Sequence, residues 1–247
     1  MKMIDDKYRK ILREYGFELE VVRTEDELQP VQNSELDGNR VIITLNIPKI
    51  EKSDSDYEGF LAFNVRRVLL PRLYLQTSRL IIRRYEPADA ASLYEMDHDQ
   101  NSCYMDGGYE PSEEMDDEYF EKMAPFAEDE SRYVIALKET NEAFGLIHLM
   151  PVEDRVVDTI EVGYIINPSM CRKGYASEAV DKVLKVLLDD LHLDMVIAGA
   201  IEENVPSLKM LERLGFEYEG RRHKAFWYPP KGPVDLLMFY KERKNAE

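Results

Sequence analysis

Residues 161–179 read EVGYIINPSMCRKGYASEA, and the way this stretch is parsed decides the fold. Residues 159–166 form an apolar β-run, and the Asn167-Pro168 pair turns the chain out of it. Cys171-Arg172-Lys173-Gly174-Tyr175-Ala176 then leads into a strongly amphipathic helix. Its Ala176, Ala179, Val180, Val183, Leu184, Leu187 and Leu191 recur at i, i+3/i+4 spacing and make one apolar stripe. A glycine lets backbone approach a ligand closely, the small Ala176 keeps the helix start open, and the unpaired N–H groups of a first helical turn bind anions. Arg172 and Lys173 add positive charge beside that nest. A pyrophosphate suits it. An ordinary strand-to-helix turn with a glycine has the same spacing, so the residues alone leave both readings open.

Working outward, residues 195–200 follow as a buried strand, and 206–214 as a short helix stopped by Gly215. Residues 216–222 and 234–240 are two more strands, joined by a turn with Pro229, Pro230, Gly232 and Pro233. Upstream, residues 79–85 (RLIIRRY) predict a strand, and Pro87 opens a helix over 88–97. A Gly107-Gly108 turn precedes a helix predicted from a Ser112 N-cap to about residue 124. Residues 133–138, 144–150 and 159–166 read as an antiparallel meander. This order predicts an α+β (mixed α/β) fold, a mixed central sheet with helices packed on it. Residues 1–76 give weaker signals: helices over 5–15 and 57–70, strands over 17–23 and 40–47, and loops over 25–39 and 51–56. We expect two parts, a small N-terminal α+β extension over 1–76 and a catalytic domain over 77–247.

The net charge of −17 excludes nucleic acid as a partner, since phosphates would be repelled. Residues 86–130 carry −15 of it, with sixteen Asp/Glu against Lys122 alone. That stretch is either a solvated helix face or a funnel for a cationic partner. Two cysteines, Cys103 and Cys171, make neither a disulfide framework nor a zinc motif, and the four histidines lack metal-ligand spacing. No metal is expected. No apolar run reaches the roughly 20 residues of a membrane span, and the charged MKMIDDKYRK start lacks a signal peptide's apolar stretch. We therefore expect a cytoplasmic protein with no membrane partner. The absence of GxxxxGK[ST] and of GxGxxG sets aside a P-loop nucleotidase and a dinucleotide fold.

Residues 79–243 resemble the GCN5-related N-acetyltransferase (GNAT) superfamily, most of all its branch that acetylates ribosomal-protein N-termini. The residues that carry the resemblance are RLIIRRY at 79–85, the opening stretch at 161–179, and NVPSLKMLERLGFEYEG at 204–220. It implies acetyl-CoA as co-substrate, with the pyrophosphate held by the backbone at Gly174, Tyr175 and Ala176 beside Arg172 and Lys173. The pantetheine arm would lie along Gly163, Tyr164 and Ile165, where that strand parts from 195–200, and a backbone N–H would polarise the thioester carbonyl. Cys171 stands where the family usually has Gln or Arg, which alters affinity without removing backbone donors. Asn204 matches a CoA-contacting asparagine, or is a turn residue.

Direct attack by an amine needs its ammonium, pKa ~10, deprotonated. Glu161, on one strand face with Gly163, is the first candidate for general base, against the plain reading of a strand glutamate. The family's usual acid, a tyrosine, is Leu211 here. The ribosomal-protein branch has a serine at Ser207, which either serves the leaving thiolate or caps the helix beside Pro206. His148 reads as core more readily than as base, and Cys171 is an improbable nucleophile. Tyr85, Tyr104, Tyr109, Trp227, Tyr228 and Asp235 are acceptor-side candidates or simple packing residues. The expected acceptor is a cationic amine (a polyamine, an aminoglycoside or a peptide α-amine), with a non-catalytic acyl-CoA-binding module as the alternative. Residues 1–76 read as a lid or as a docking element that could form a homodimer.

Overall fold

A computed structural model describes residues 2–24, 34–46, 54–111 and 113–244. Its contacts divide the chain into two units, Met1–Leu73 with Asp189–His192, and Tyr74–Leu188 with Leu193–Glu247. The first unit contains α1 (Lys2–Glu14), β1 (Glu18–Thr24), β2 (Ser34–Asp37), β3 (Arg40–Asn46) and α2 (Asp54–Leu69). Its three strands are ordered β1-β3-β2, with β1 parallel and β2 antiparallel to β3. α1 buries Tyr8 and Leu12, four residues apart and so on one face. Asp5, buried on that helix, pairs with Arg23 at 2.9 Å and accepts the hydroxyl hydrogen of Tyr57. β2 occupies part of the predicted 25–39 loop. Its sequence, SELD, has little strand character, and only the tight turn at Gly38, φ 61°, reveals the hairpin. α2 begins inside the predicted 51–56 loop; residues 25–33, 47–53 and 112 lie outside the described residues.

The second unit is built on an eight-stranded mixed sheet, β10-β11-β9-β8-β7-β6-β5-β4. Its strands are β4 (Leu75–Gln76), β5 (Leu80–Arg84), β6 (Arg132–Leu137), β7 (Ala143–Pro151), β8 (Thr159–Ile166), β9 (Met195–Ala200), β10 (Glu217–Tyr228) and β11 (Gly232–Glu242). All neighbours are antiparallel except β8 and β9. That pair is parallel because a helical crossover joins it. Helices α3 (Ala90–His98), α4 (Gln100–Asp106), α5 (Asp117–Met123), α6 (Tyr175–Lys185) and α7 (Val205–Arg213) accompany the sheet. This is the mixed fold the sequence predicts. The sheet takes in Leu75 and Gln76, just ahead of residue 77.

Three departures have local causes. α4 is additional: QNSCYMD is short and polar, but Asp99 caps it by accepting from the Ser102 N–H at 2.8 Å. α5 starts at Asp117 rather than near Ser112, a residue that is not described, because the Asp116 side chain accepts from the Tyr119 N–H. β10 runs on to Tyr228 through a register shift between Arg222 and Phe226, with Lys224 at φ 48°.

On α6 the predicted stripe is buried at Ala179, Val180, Val183 and Leu184, and continues through a π turn, Val186–Asp190. Each buried valine or leucine there contributes about 1.5–3 kcal/mol. Arg83 on β5 grips Asp89, just before α3, with two parallel bonds of 2.8 Å, and so anchors the first helix to the sheet. Among the described residues no helix is long and apolar enough to cross a membrane.

Candidate active site

β8 and β9 pair only from Thr159↔Met195 to Glu161↔Ile197. β8 nevertheless continues against β7 as far as Gly145↔Ile166, and β9 against β11 as far as Ala200↔Leu237. Beyond Glu161 the two parallel strands therefore part, and the backbone polar groups on that edge of β8 have no partner in β9. The sheet splits where the 161–179 stretch begins.

At the far end of the split lies the start of α6. Gly174 stands there at φ 80° and ψ 5°, and no side chain caps the helix. An L residue would be strained in this left-handed conformation, and the free N–H groups of the first turn are left facing outward. The loop before it is clasped from β5. Arg79 pairs with Glu178 at 2.5 Å, donates to the Lys173 carbonyl at 3.1 Å and lies 4.5 Å over the Tyr175 ring. Thr77 also bonds Glu178 at 2.5 Å. Burial opposes ionisation of Glu178, but the bonds from Thr77 and Arg79 outweigh it and hold the carboxyl below its ordinary range.

A cavity of about 800 Å³ occupies the split, a volume within the range of cofactor sites. β8 lines it with Tyr164, Ile165 and Ile166. The α6 start contributes Cys171, Arg172, Gly174, Tyr175, Ala176 and Ser177; α7 contributes Asn204, Pro206, Ser207, Lys209, Met210, Glu212 and Arg213. The fourth wall is α4, through Asn101, Ser102, Met105 and Asp106. These residues fall in the acidic 86–130 stretch, but the sequence predicts neither the helix nor the four lining residues as part of the site. Lys173, Gly163 and Glu161 are not among the lining residues. Lys173 is exposed, with its Nζ 3.4 Å from Met170 Sδ.

Asn204 caps α7, its Oδ1 accepting the Ser207 N–H at 3.2 Å. Ser207 is thus not the cap, and its hydroxyl is free to meet the Tyr164 hydroxyl at 2.7 Å. That hydroxyl pair spans the split from β8 to α7. Burial pushes the Tyr164 phenol up to about 12, partly offset by the bond to Ser207. Leu211, where a tyrosine is usual, is fully buried.

Glu161 is half-buried and shares its strand face with Gly163, while His148 and Met150 stand opposite them on β7. Burial raises its carboxyl, with Arg222 pulling the other way. His148 is engaged with Ser131 at 2.6 Å, and burial lowers its pKa. The Cys171 thiol is raised by burial, which disfavours a thiolate. Asp235 is occupied within its hairpin by the Lys224 N–H at 3.0 Å and by His223. Tyr85 is core, Tyr109 donates to Asp97 at 3.2 Å, and Tyr104 packs edge-on against Tyr228. Trp227 is exposed, but its carbonyl abuts Gly108, fixing the β10–β11 tip against the end of α4. Among the described residues no three His, Cys, Asp or Glu side chains are grouped to hold a metal.

A split parallel pair that opens toward an uncapped helix start defines a class: folds that lay a long phosphorylated carrier along one strand. Arg172, the left-handed Gly174 and the free amides fit the diphosphate of coenzyme A, and the unpaired edge of β8 fits an amide-bearing arm. The family model for the acetyltransferase (GNAT) domain matches residues 79–217, more than half of the chain, and the chain belongs to that family. It is an acetyl-CoA-dependent acyltransferase. It is 29% identical over 161 residues to the uncharacterized N-acetyltransferase YnaD of Bacillus subtilis (strain 168), covering 65% of this chain and 90% of that one. An acetyltransferase (GNAT family) from Bacillus anthracis superposes with a TM-score of 0.61 at 23% identity, over 70% of this chain and 100% of that one. Spermidine N-acetyltransferase from Vibrio cholerae, solved with CoA and spermine, gives a TM-score of 0.55 at 22% identity, over 68% and 97%. These two structures share the fold.

Proposed function

We propose that this chain transfers the acetyl group of acetyl-CoA to a primary amine on a cationic acceptor, a small molecule or a peptide N-terminus, with both substrates bound together. The observation that carries the reading is the parting of β8 from β9 after Glu161 in front of the uncapped α6 start. Acetyl-CoA supplies an activated acyl group as a thioester. In this reading the first-turn amides at Gly174, Tyr175 and Ala176 hold the diphosphate, with Arg172 beside them and Lys173 contributing mainly its backbone. The stretch Gly163, Tyr164 and Ile165 of β8 receives the arm, and the Tyr164 N–H, which faces away from β7, polarises the acyl oxygen. Asn204 orders the α7 start that presents Ser207.

Glu161 serves as general base through a water, since it is not one of the residues that line the cavity. Its raised carboxyl is a stronger proton acceptor than an exposed one, and it draws the proton from the attacking ammonium. Ser207 donates a hydrogen bond to the departing thiolate, held in place by Tyr164. Serine at 207 with leucine at 211 favours the ribosomal-protein branch within the family.

The test is direct. Saturating CoA should raise the melting temperature, and acetyl-CoA with a panel of amines should release free thiol. Absence of any CoA effect on melting would remove the whole reading. A CoA effect with no thiol release for any amine would leave a cofactor-binding module instead.

A further inference from the structure

The cavity is electrically lopsided. Arg172 at the α6 start and Lys209, Glu212 and Arg213 on α7 together give those walls a net positive charge, and Asp106 is the charge on the wall that α4 provides. α4 runs from residues facing the Cys171 loop, where Asp99 and Glu95 act on Cys171, to Asp106 about 10 Å further along. Asp106 is exposed to solvent on that wall. Among the described residues its carboxylate has no hydrogen bond and no ion pair. Arg132, the cation whose charge acts on it, is paired with Asp129 at 2.7 Å, and the like charge of Asp97 acts on it with the opposite sign. The carboxylate sits at the negative end of a helix, which adds to its pull on a cation. Its position is fixed: Gly107 and Gly108 N–H groups both return to the Cys103 carbonyl, and Gly108 lies against the Trp227 carbonyl.

We propose that Asp106 recognises the acceptor by pairing with a positive charge other than the amine that is acetylated, so that dicationic amines are preferred over monoamines. This rests on the acetyltransferase reading. The assignment to a second charge follows from the chemistry. A carboxylate bonded to the reacting ammonium would stabilise its protonated, unreactive form, whereas one bonded to a remote ammonium or guanidinium orients the acceptor and leaves the reacting amine free to lose its proton. An unpaired carboxylate in a recess gains most from such a partner, since charge-assisted bonds are the stronger ones.

The experiment compares wild type, Asp106→Asn and Asp106→Glu on 1,4-diaminobutane and the dipeptide amide Ala-Arg, each against a singly charged counterpart, n-butylamine and Ala-Ala amide. Asp106→Asn should raise KM for the dications about ten- to a hundredfold. The monoamine kcat/KM and the KM for acetyl-CoA should stay put, and Asp106→Glu should recover part of the loss. Which dication is affected more distinguishes a polyamine from a basic peptide as the source of the second charge. Equal losses on dications and monoamines, or no loss on either, would overturn the proposal. If wild type acetylates no amine, the enzyme reading fails. Calorimetry of 1,4-diaminobutane into the CoA-bound protein then still decides on Asp106: weaker binding by Asp106→Asn supports it, and equal or absent binding refutes it.

Discussion

Gly108 is the position where one methyl group should do most harm. Its φ of 66° is left-handed, and a Cβ built there would lie 1.8 Å from the Trp227 carbonyl oxygen, so backbone must part by more than an ångström. The left-handed conformation costs a non-glycine residue about 1–2 kcal/mol, and forced overpacking adds about 1–3 kcal/mol. Gly174→Ala supplies the control within the same unit. It bears the same conformational cost at φ 80°, but the nearest atom is the flexible Arg79 Nη2 at 3.6 Å, an ordinary contact. At this size 1 kcal/mol shifts melting by about 2–4 °C, so Gly108→Ala should lose about 4–20 °C and Gly174→Ala about 2–8 °C. Thermal melts with and without CoA, followed by steady-state kinetics, read both consequences. Gly108→Ala should raise the acceptor KM and spare CoA affinity, because it displaces the β10–β11 tip from the end of α4. Gly174→Ala should weaken CoA about tenfold by misaiming the first-turn amides. Equal melting losses would refute the clash at Gly108, and a CoA defect in Gly108→Ala would refute its assignment to the acceptor side rather than the CoA site.

Three further outcomes are expected. Glu161→Gln should lower kcat by about 10²–10⁴-fold and abolish the acidic limb of the pH–rate profile. In wild type that limb rises with pH through a carboxyl lifted above the ordinary range, because the base works only when ionised; an unchanged profile removes Glu161 from the chemistry. Arg79→Ala should raise the acetyl-CoA KM about tenfold with kcat nearly intact, since it releases the loop before α6 and not the reacting groups; a kcat defect with normal KM would contradict that role. Asp89→Ala should destabilise the protein by about 3–5 kcal/mol by stranding the buried Arg83, measured by denaturant unfolding; a loss below 1 kcal/mol would show that water reaches the guanidinium.

The sheet from 159 to 200 was legible because long apolar runs bounded by Asn167-Pro168 admit few other readings, and both strands there fall on the predicted residues. α4 was not legible. QNSCYMD has no apolar stripe, and the helix depends on Asp99 as cap and on packing of Cys103. β10 extends past Arg222 only because the backbone bulges at Lys224, a conformational accident that composition does not announce. Within the site, glycine at 174 could be found from sequence because its reason is local. The Tyr164–Ser207 bridge joins residues 43 apart, the Arg79–Glu178 clasp joins residues 99 apart, and Asp106 matters only because the fold sets it in a cavity wall. Each of these depends on which elements become neighbours, and that is fixed by the whole sheet.

Three paired residues, Thr159 to Glu161, are all that join β4 to β8 with β9 to β11 across the middle of the sheet. Past them each half keeps its own ladder, so the halves can flex about that short hinge. A carrier bonded to the bare edge of β8 and lodged against α7 would act as a splint, stiffening the seam without adding a strand. Amide hydrogen exchange along Val162, Tyr164 and Ile166 should therefore slow on cofactor binding, while exchange in β5 and β6 holds steady.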